Sequence, residues 1–169
     1  MKKVFIIALC CIAVMFAGCK KPVEPTSEEP VDYTTNYVGD YLGQFILTIS
    51  TMNYQTVSNM SFPIDSIRMN IAKGNETNSI SATVIIDNES YQTSGIAKPA
   101  MADLDNVHLV LNKTDFSINC NIKLVALPSE NDNLELRGDF SGDGTAIIMG
   151  QEQVFDEISG TVVGNLRKQ

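Results

Sequence analysis

From residue 37 onward the apolar residues of this 169-residue chain recur at every second position in short runs. That period constrains the fold more than any other feature, because it sends alternate side chains to opposite faces of a strand. Phe45, Leu47 and Ile49 share one face, with Gln44, Thr48 and Ser50 on the other. Ile67, Met69 and Ile71 alternate with Arg68 and Asn70, and Ile80, Ala82, Val84 and Ile86 with Ser81 and Thr83. Val107, Leu109 and Leu111 alternate with His108 and Asn112. The clearest run is Phe116, Ile118, Cys120, Ile122 and Leu124, interleaved with Ser117, Asn119, Asn121 and Lys123. Leu134, Leu136 and Phe140 continue the pattern, as do Ile158, Val162 and Leu166.

Turn-forming residues separate the runs: Lys73-Gly74-Asn75, Asp87-Asn88, Asn112-Lys113, the stretch from Ser129 to Asn133, Gly142-Asp143-Gly144 and Gly150-Gln151. Only the segment from Ala97 to Asn106 is expected to form a short turn or helix. One apolar face per strand and tight connections predict an all-β fold with antiparallel pairing around one core. A single up-and-down barrel of about eight strands removes the exposed edges that invite aggregation. The alternative is a two-sheet sandwich. The predicted interior comprises Phe45, Leu47 and Ile49, then Met69, Ile80, Val84 and Leu109, then Phe116, Ile118, Ile122, Leu136, Phe140 and Val162. A bilayer-spanning barrel is excluded by the polar second face and the absence of Trp.

The N-terminus has a different character. Lys2 and Lys3 precede an unbroken apolar run from Val4 to Ala17, too short to span a bilayer as a helix. Phe16-Ala17-Gly18-Cys19 follows, and the whole resembles a bacterial lipoprotein signal peptide with its lipobox, with Phe16 where Leu is usual. The resemblance implies removal of residues 1–18 and modification of Cys19 by diacylglycerol thioether and an N-acyl chain such as palmitate. A thiolate is the nucleophile suited to that attachment, and several acyl chains give stable anchoring. A plain secretory signal or an anchor helix are the alternatives. Residues 20–36 hold three of the six prolines and four acids, and read as a flexible acidic tether ahead of a barrel domain spanning residues 37–169.

Processing would discard Cys10, Cys11, Lys2 and Lys3 and move the formal charge from −8 to −10. Such an acidic chain is ill suited to nucleic acid. With Cys19 lipidated, Cys120 has no disulfide partner, so the domain must be held by its core.

The segment from Tyr37 to Gly43, Tyr-Val-Gly-Asp-Tyr-Leu-Gly, leads into Phe45 to Ile49 and resembles the opening strand of calycin-like and lipocalin-like barrel lipoproteins of Bacteroidales. The ending from Ile158 to Arg167 resembles their closing strand. In lipocalins an early Trp is covered by a late Arg. Here the resemblance places Tyr41 and Arg167 in those roles, as a closure of one barrel end. It also implies an outer-membrane address. Lys20-Lys21 directly behind Cys19, with Glu28-Glu29 arriving late, favours the periplasmic face over surface display.

Candidates for chemistry are few. The single His108 lacks a nucleophile partner, and Cys120 sits on an apolar face. Asp139 to Gly144 matches half of a Ca²⁺ loop, but Gly150 stands where the bidentate acid belongs, and a hairpin turn accounts for the same letters. The acid pairs Asp103/Asp105 and Asp156/Glu157 read as solvated turn residues. Asn75, Asn88 and Asn112 head glycosylation-type sequons, and Asp65-Ser66-Ile67 resembles a bacterial O-glycosylation motif. No residue set outlines a catalytic site, which predicts a non-enzymatic binding protein without cofactor or metal. Two sites of binding are expected: a small apolar ligand inside the barrel, or an envelope protein or glycan on the loops at residues 52–61, 96–106 or 129–133.

Overall fold

A computed structural model describes residues 30–169. These residues form eight strands: β1 Gly39–Met52, β2 Gln55–Lys73, β3 Ser79–Ile86, β4 Glu89–Ala97, β5 Ala102–Asn112, β6 Phe116–Pro128, β7 Leu134–Ile148 and β8 Gln151–Lys168. Each pairs antiparallel with its sequence neighbour, and β8 returns to β1, so the sheet is a closed up-and-down barrel of calycin-like architecture.

The period-two pattern sets the register. Phe45, Leu47, Met69, Leu109, Ile118, Ile122, Leu136 and Val162 are all buried in one apolar core. Their neighbours Gln44, Arg68, His108, Asn121 and Lys123 lie on the outer wall. Burying one such aliphatic side chain contributes about 1.5–3 kcal/mol. Apolar inside and polar outside is the reverse of what a bilayer-spanning barrel needs.

Tight turns close three of the hairpins. Asn53-Tyr54, Asp87-Asn88 and Met149-Gly150 all have positive φ at both central residues, the conformation whose twist matches the flanking strands. The wall also needs close approach of strands. A Cβ on Gly160 would lie 2.0 Å from the Thr48 carbonyl oxygen and 2.9 Å from the Phe140 ring, so only glycine lets β8 lie against β1 there.

Three sequence expectations are corrected. Of the short turn or helix expected from Ala97 to Asn106, the turn is present, closed by the Lys98 amide donating to the Met101 carbonyl at 2.8 Å, but the flanking residues are the end of β4 and the start of β5 and there is no helix. The segment's inward residues Ala97, Ala102 and Leu104 are buried by wall pairing, which overrides the local helical spacing. Gly142-Asp143-Gly144 is not a turn but lies inside β7, where the strand must run close to β6; a Cβ at Gly142 would fall 2.0 Å from the Asn119 carbonyl oxygen. Finally, the end of the expected tether is part of the domain. Thr34–Asn36 form a short 3-10 turn, and Thr34 is buried. The Asp32 carboxylate accepts hydrogen bonds from the Thr34 amide and hydroxyl and pairs with Lys73. The Tyr33 amide donates to Asn78 Oδ1 at 2.7 Å. The signal segment, Cys19 and residues 20–29 lie outside the described residues.

Candidate binding surface at the open end of the barrel

An up-and-down barrel has two ends with different chain content. The β2–β3, β4–β5 and β6–β7 connections gather at one end, together with residues 30–38 and the C-terminus. There Tyr37 is fully buried and its hydroxyl donates to the Lys98 carbonyl at 2.7 Å. Tyr41 donates to the Tyr37 carbonyl at 2.8 Å, and burial pushes its pKa up to about 12. This end is closed by the chain's own tyrosines.

The closure differs from the expected one. Tyr41 points inward, whereas Arg167 is exposed on the outer wall opposite Leu42. Adjacent register positions project to opposite faces, so the guanidinium does not cover the Tyr41 ring. Tyr37, one turn ahead of β1, takes the part expected of Arg167 by giving Tyr41 a carbonyl partner.

The expected interior residues are placed as a filled core. Phe45, Leu47, Ile49, Met69, Ile80, Val84, Leu109, Ile118, Ile122, Leu136, Phe140 and Val162 are buried, and Phe116 is half-buried at the open mouth. Its ring packs on Phe62 with centroids 4.5 Å apart and planes tilted by 51°. Between Ile49, Met52, Phe62, Phe116, Phe155 and Ile158 the wall leaves a cavity of about 10 Å³. A ligand site is typically about 300–1,000 Å³. Eight strands enclose space that side chains of this size fill.

The residues considered for chemistry are dispersed. His108 faces outward with Nδ1 3.1 Å from Asn121 Oδ1. Cys120 is buried, and burial pushes its thiol up to about 12, away from the thiolate that reactivity needs. Asp103 pairs with Lys98, and Asp105 accepts from the Ser94 hydroxyl. Asp139 and Asp143 lie on an extended strand that cannot wrap an ion, and Asp143 accepts from Asn119 Nδ2 at 3.2 Å. Ser66 sits exposed at a bulge of β2 with φ 60°. Among the described residues no three His, Cys, Asp or Glu side chains converge as metal ligands, and no helix is long and apolar enough to cross a membrane.

The open end carries the four hairpin turns β1–β2, β3–β4, β5–β6 and β7–β8. Here large apolar side chains stand in solvent: Met149 is 100% exposed, Tyr54 83%, Val154 65% and Ile147 51%. Phe62, Phe116 and Phe155 lie partly buried beneath them. The β1–β2 tip is held in place. A register shift in β8 frees the amides of Asp156 and Glu157, and Asn53 Oδ1 accepts both, at 3.0 and 3.4 Å. The Asn53 amide donates to the Glu157 carbonyl at 2.7 Å. The neighbouring Glu157 carboxylate raises the Tyr54 pKa above its ordinary value. The Ile147 amide donates to the Asp115 carbonyl at 2.8 Å, joining the last two hairpins. Asp115, Glu152, Asp156 and Glu157 surround the apolar tips, and Lys113 is already paired with Asp87.

Of this surface only the stretch 52–61 was expected from sequence. Ile147, Met149 and Val154 were not, although Ile147-Ile148-Met149 breaks the alternation immediately before a turn glycine. Three apolar residues in succession on a strand must expose at least one. No protein-family model matches this chain, and a search of curated proteins finds no match.

Proposed function

We propose that this chain is a lipid-anchored envelope protein without catalytic activity that binds a protein partner through the open end of its barrel. The observation that carries the reading is the exposure of Met149, Tyr54, Val154 and Ile147 around a barrel whose interior is already filled. Large apolar side chains grouped in solvent mark interaction surfaces, and here they are bordered by carboxylates. The partner surface is therefore apolar and flanked by Lys or Arg. The filled interior supports this loop reading over a small apolar ligand in the barrel.

The anchor belongs to the same proposal. Cys19 carries the lipid, on the outer membrane's periplasmic face, and the chain enters the domain at the closed end, opposite the tips. Cys19→Ala is expected to abolish incorporation of labelled palmitate and release the protein from the membrane fraction; retention with label would refute the anchor. Replacing Tyr54 and Met149 together by Ser is expected to remove the protein's crosslinked adduct in intact cells while leaving thermal unfolding within a degree or two. An undiminished adduct would place binding elsewhere. Co-purification of a small apolar molecule in a native mass spectrum would favour the interior instead.

A further inference from the structure

The barrel seam between β4 and β5 is joined for only part of its length. Register pairs occur at Gly95 with Leu104, Ile96 with Asp103 and Ala97 with Ala102, and there they stop. Yet β4 continues to Glu89 and β5 to Asn112, each still paired on its far side with β3 and β6. By contrast β3, another short strand, is paired along nearly its whole length on both sides.

Beyond Gly95, side-chain hydroxyls replace backbone pairing. Thr93 Oγ1 donates to the Asp105 carbonyl at 2.9 Å and the Ser94 hydroxyl to the Asp105 carboxylate, and further toward the open end the Tyr91 hydroxyl lies 2.7 Å from Glu89 Oε2 and 2.9 Å from the Val110 carbonyl, sharing its one proton between them. The bridging side chain lengthens from Thr to Tyr, so the strands diverge as a wedge. The wedge mouth holds a cleft of about 60 Å³ lined by Glu89, Tyr91, Val110, Leu111 and Asn112 among others. These bridges reach carbonyls of β5. The β5-facing backbone groups of β4 over Glu89–Ser94 have no strand partner, the state that receives an added strand in peptide-binding sheets. The charge around the wedge selects the guest. Among the described residues, Asp87, Glu89 and Asp105 border it against one cation, Lys113, which pairs with Asp87; the Glu89 and Asp105 carboxylates accept only from the neutral Tyr91 and Ser94 hydroxyls, so their charges are left without a counter-ion.

We propose that the wedge accepts an extended, cationic peptide segment by strand addition to the free edge of β4 over Glu89–Ser94. The Tyr91, Thr93 and Ser94 hydroxyls then act as latches that give up Val110 and Asp105 as the guest enters. The site is separate from the hairpin tips and stands whether or not they dock a partner.

The test uses the full chain and a short end-capped peptide of alternating Lys and Val. A second peptide has the same side chains, but its pairing-edge amides are N-methylated. Loss of several backbone hydrogen bonds is expected to weaken the methylated peptide about tenfold or more. The unmodified peptide should slow amide hydrogen exchange within residues 89–94, and Tyr91→Phe, which removes one latch, should tighten binding a few-fold. The variant with Tyr54 and Met149 replaced by Ser should bind as the parent does. Equal affinity for the two peptides, absence of binding, or loss of binding in the tip variant would each overturn the proposal.

Discussion

The two ends of this barrel are made of the same strands with the same alternation, yet they meet solvent differently. At the closed end Thr34, Tyr37 and Tyr41 are buried, and the tyrosine hydroxyls reach main-chain carbonyls. Asp32–Lys73, Lys98–Asp103, Lys168–Asp132 and Arg137–Glu135 pair charges in that half. At the open end, Lys113–Asp87 is the one ion pair found among the described residues, and Met149 and Tyr54 stand in water. The closed end leaves Val31, Ile96 and Met101 partly exposed, but its tyrosines are buried by the chain itself, whereas the open end carries the larger exposures, Met149 and Tyr54, beside carboxylates. The difference separates residues that make the fold from residues that are left for a partner.

The contrast breaks first on stability. Phe45→Ala removes a ring packed against Gly164 in the filled interior and is expected to cost about 3–5 kcal/mol in urea unfolding. Met149→Ser at the open tip should stay within about 0.5 kcal/mol. Comparable losses at both sites would mean that the tips are part of the core.

Alkali should act on the closed end next. Burial keeps Tyr41 neutral, with its pKa raised from 10.0 to about 12. The stability this contributes, about 2–3 kcal/mol, is whole below the unfolded value and is lost as pH rises through the folded one. Tyrosinate absorbance followed alongside circular dichroism should show ionisation coupled to unfolding, and Tyr41→Phe should shift that transition.

Cys120 offers a kinetic version of the same contrast. With its thiol raised from 9.0 to about 12 by burial, native labelling by iodoacetamide at mildly alkaline pH should be slower than for an unfolded chain by about a thousandfold. A cysteine introduced at Met149 should react at the unfolded rate.

The smallest effect is expected from acid. Asp32 is held down to about 2 from 3.8, first by its hydrogen bond with Lys73 and then by Thr34. Its contribution is present above the unfolded value and lost as pH falls through the folded one, so the amide of Thr34 should lose exchange protection in that window. Asp32→Asn should remove the acid dependence without unfolding the barrel.

How far the letters alone lead differs between the wall and its ends. The interior positions were legible because one face of each strand is apolar and the period is strict, as from Phe116 to Leu124. β4 was silent: its inward positions are Tyr91, Thr93, Gly95 and Ala97, too polar or small to register as a hydrophobic run. Gly142 and Gly144 misled because close strand approach and turn formation call for the same residue. The open-end site was half hidden because exposed Met149 and Val154 look, as letters, like further core. The Tyr41–Arg167 closure failed on parity, since neighbouring register positions face opposite ways.

The most direct test of the central claim is a photo-crosslinking amino acid placed at Met149 in one strain and at Lys98, on the closed end, in another. With the protein at its native level in intact cells, a discrete protein adduct should form from Met149 and not from Lys98, and should vanish when Tyr54 is also replaced by Ser. An adduct from Lys98 with none from Met149 would contradict the assignment of the open end as the binding surface.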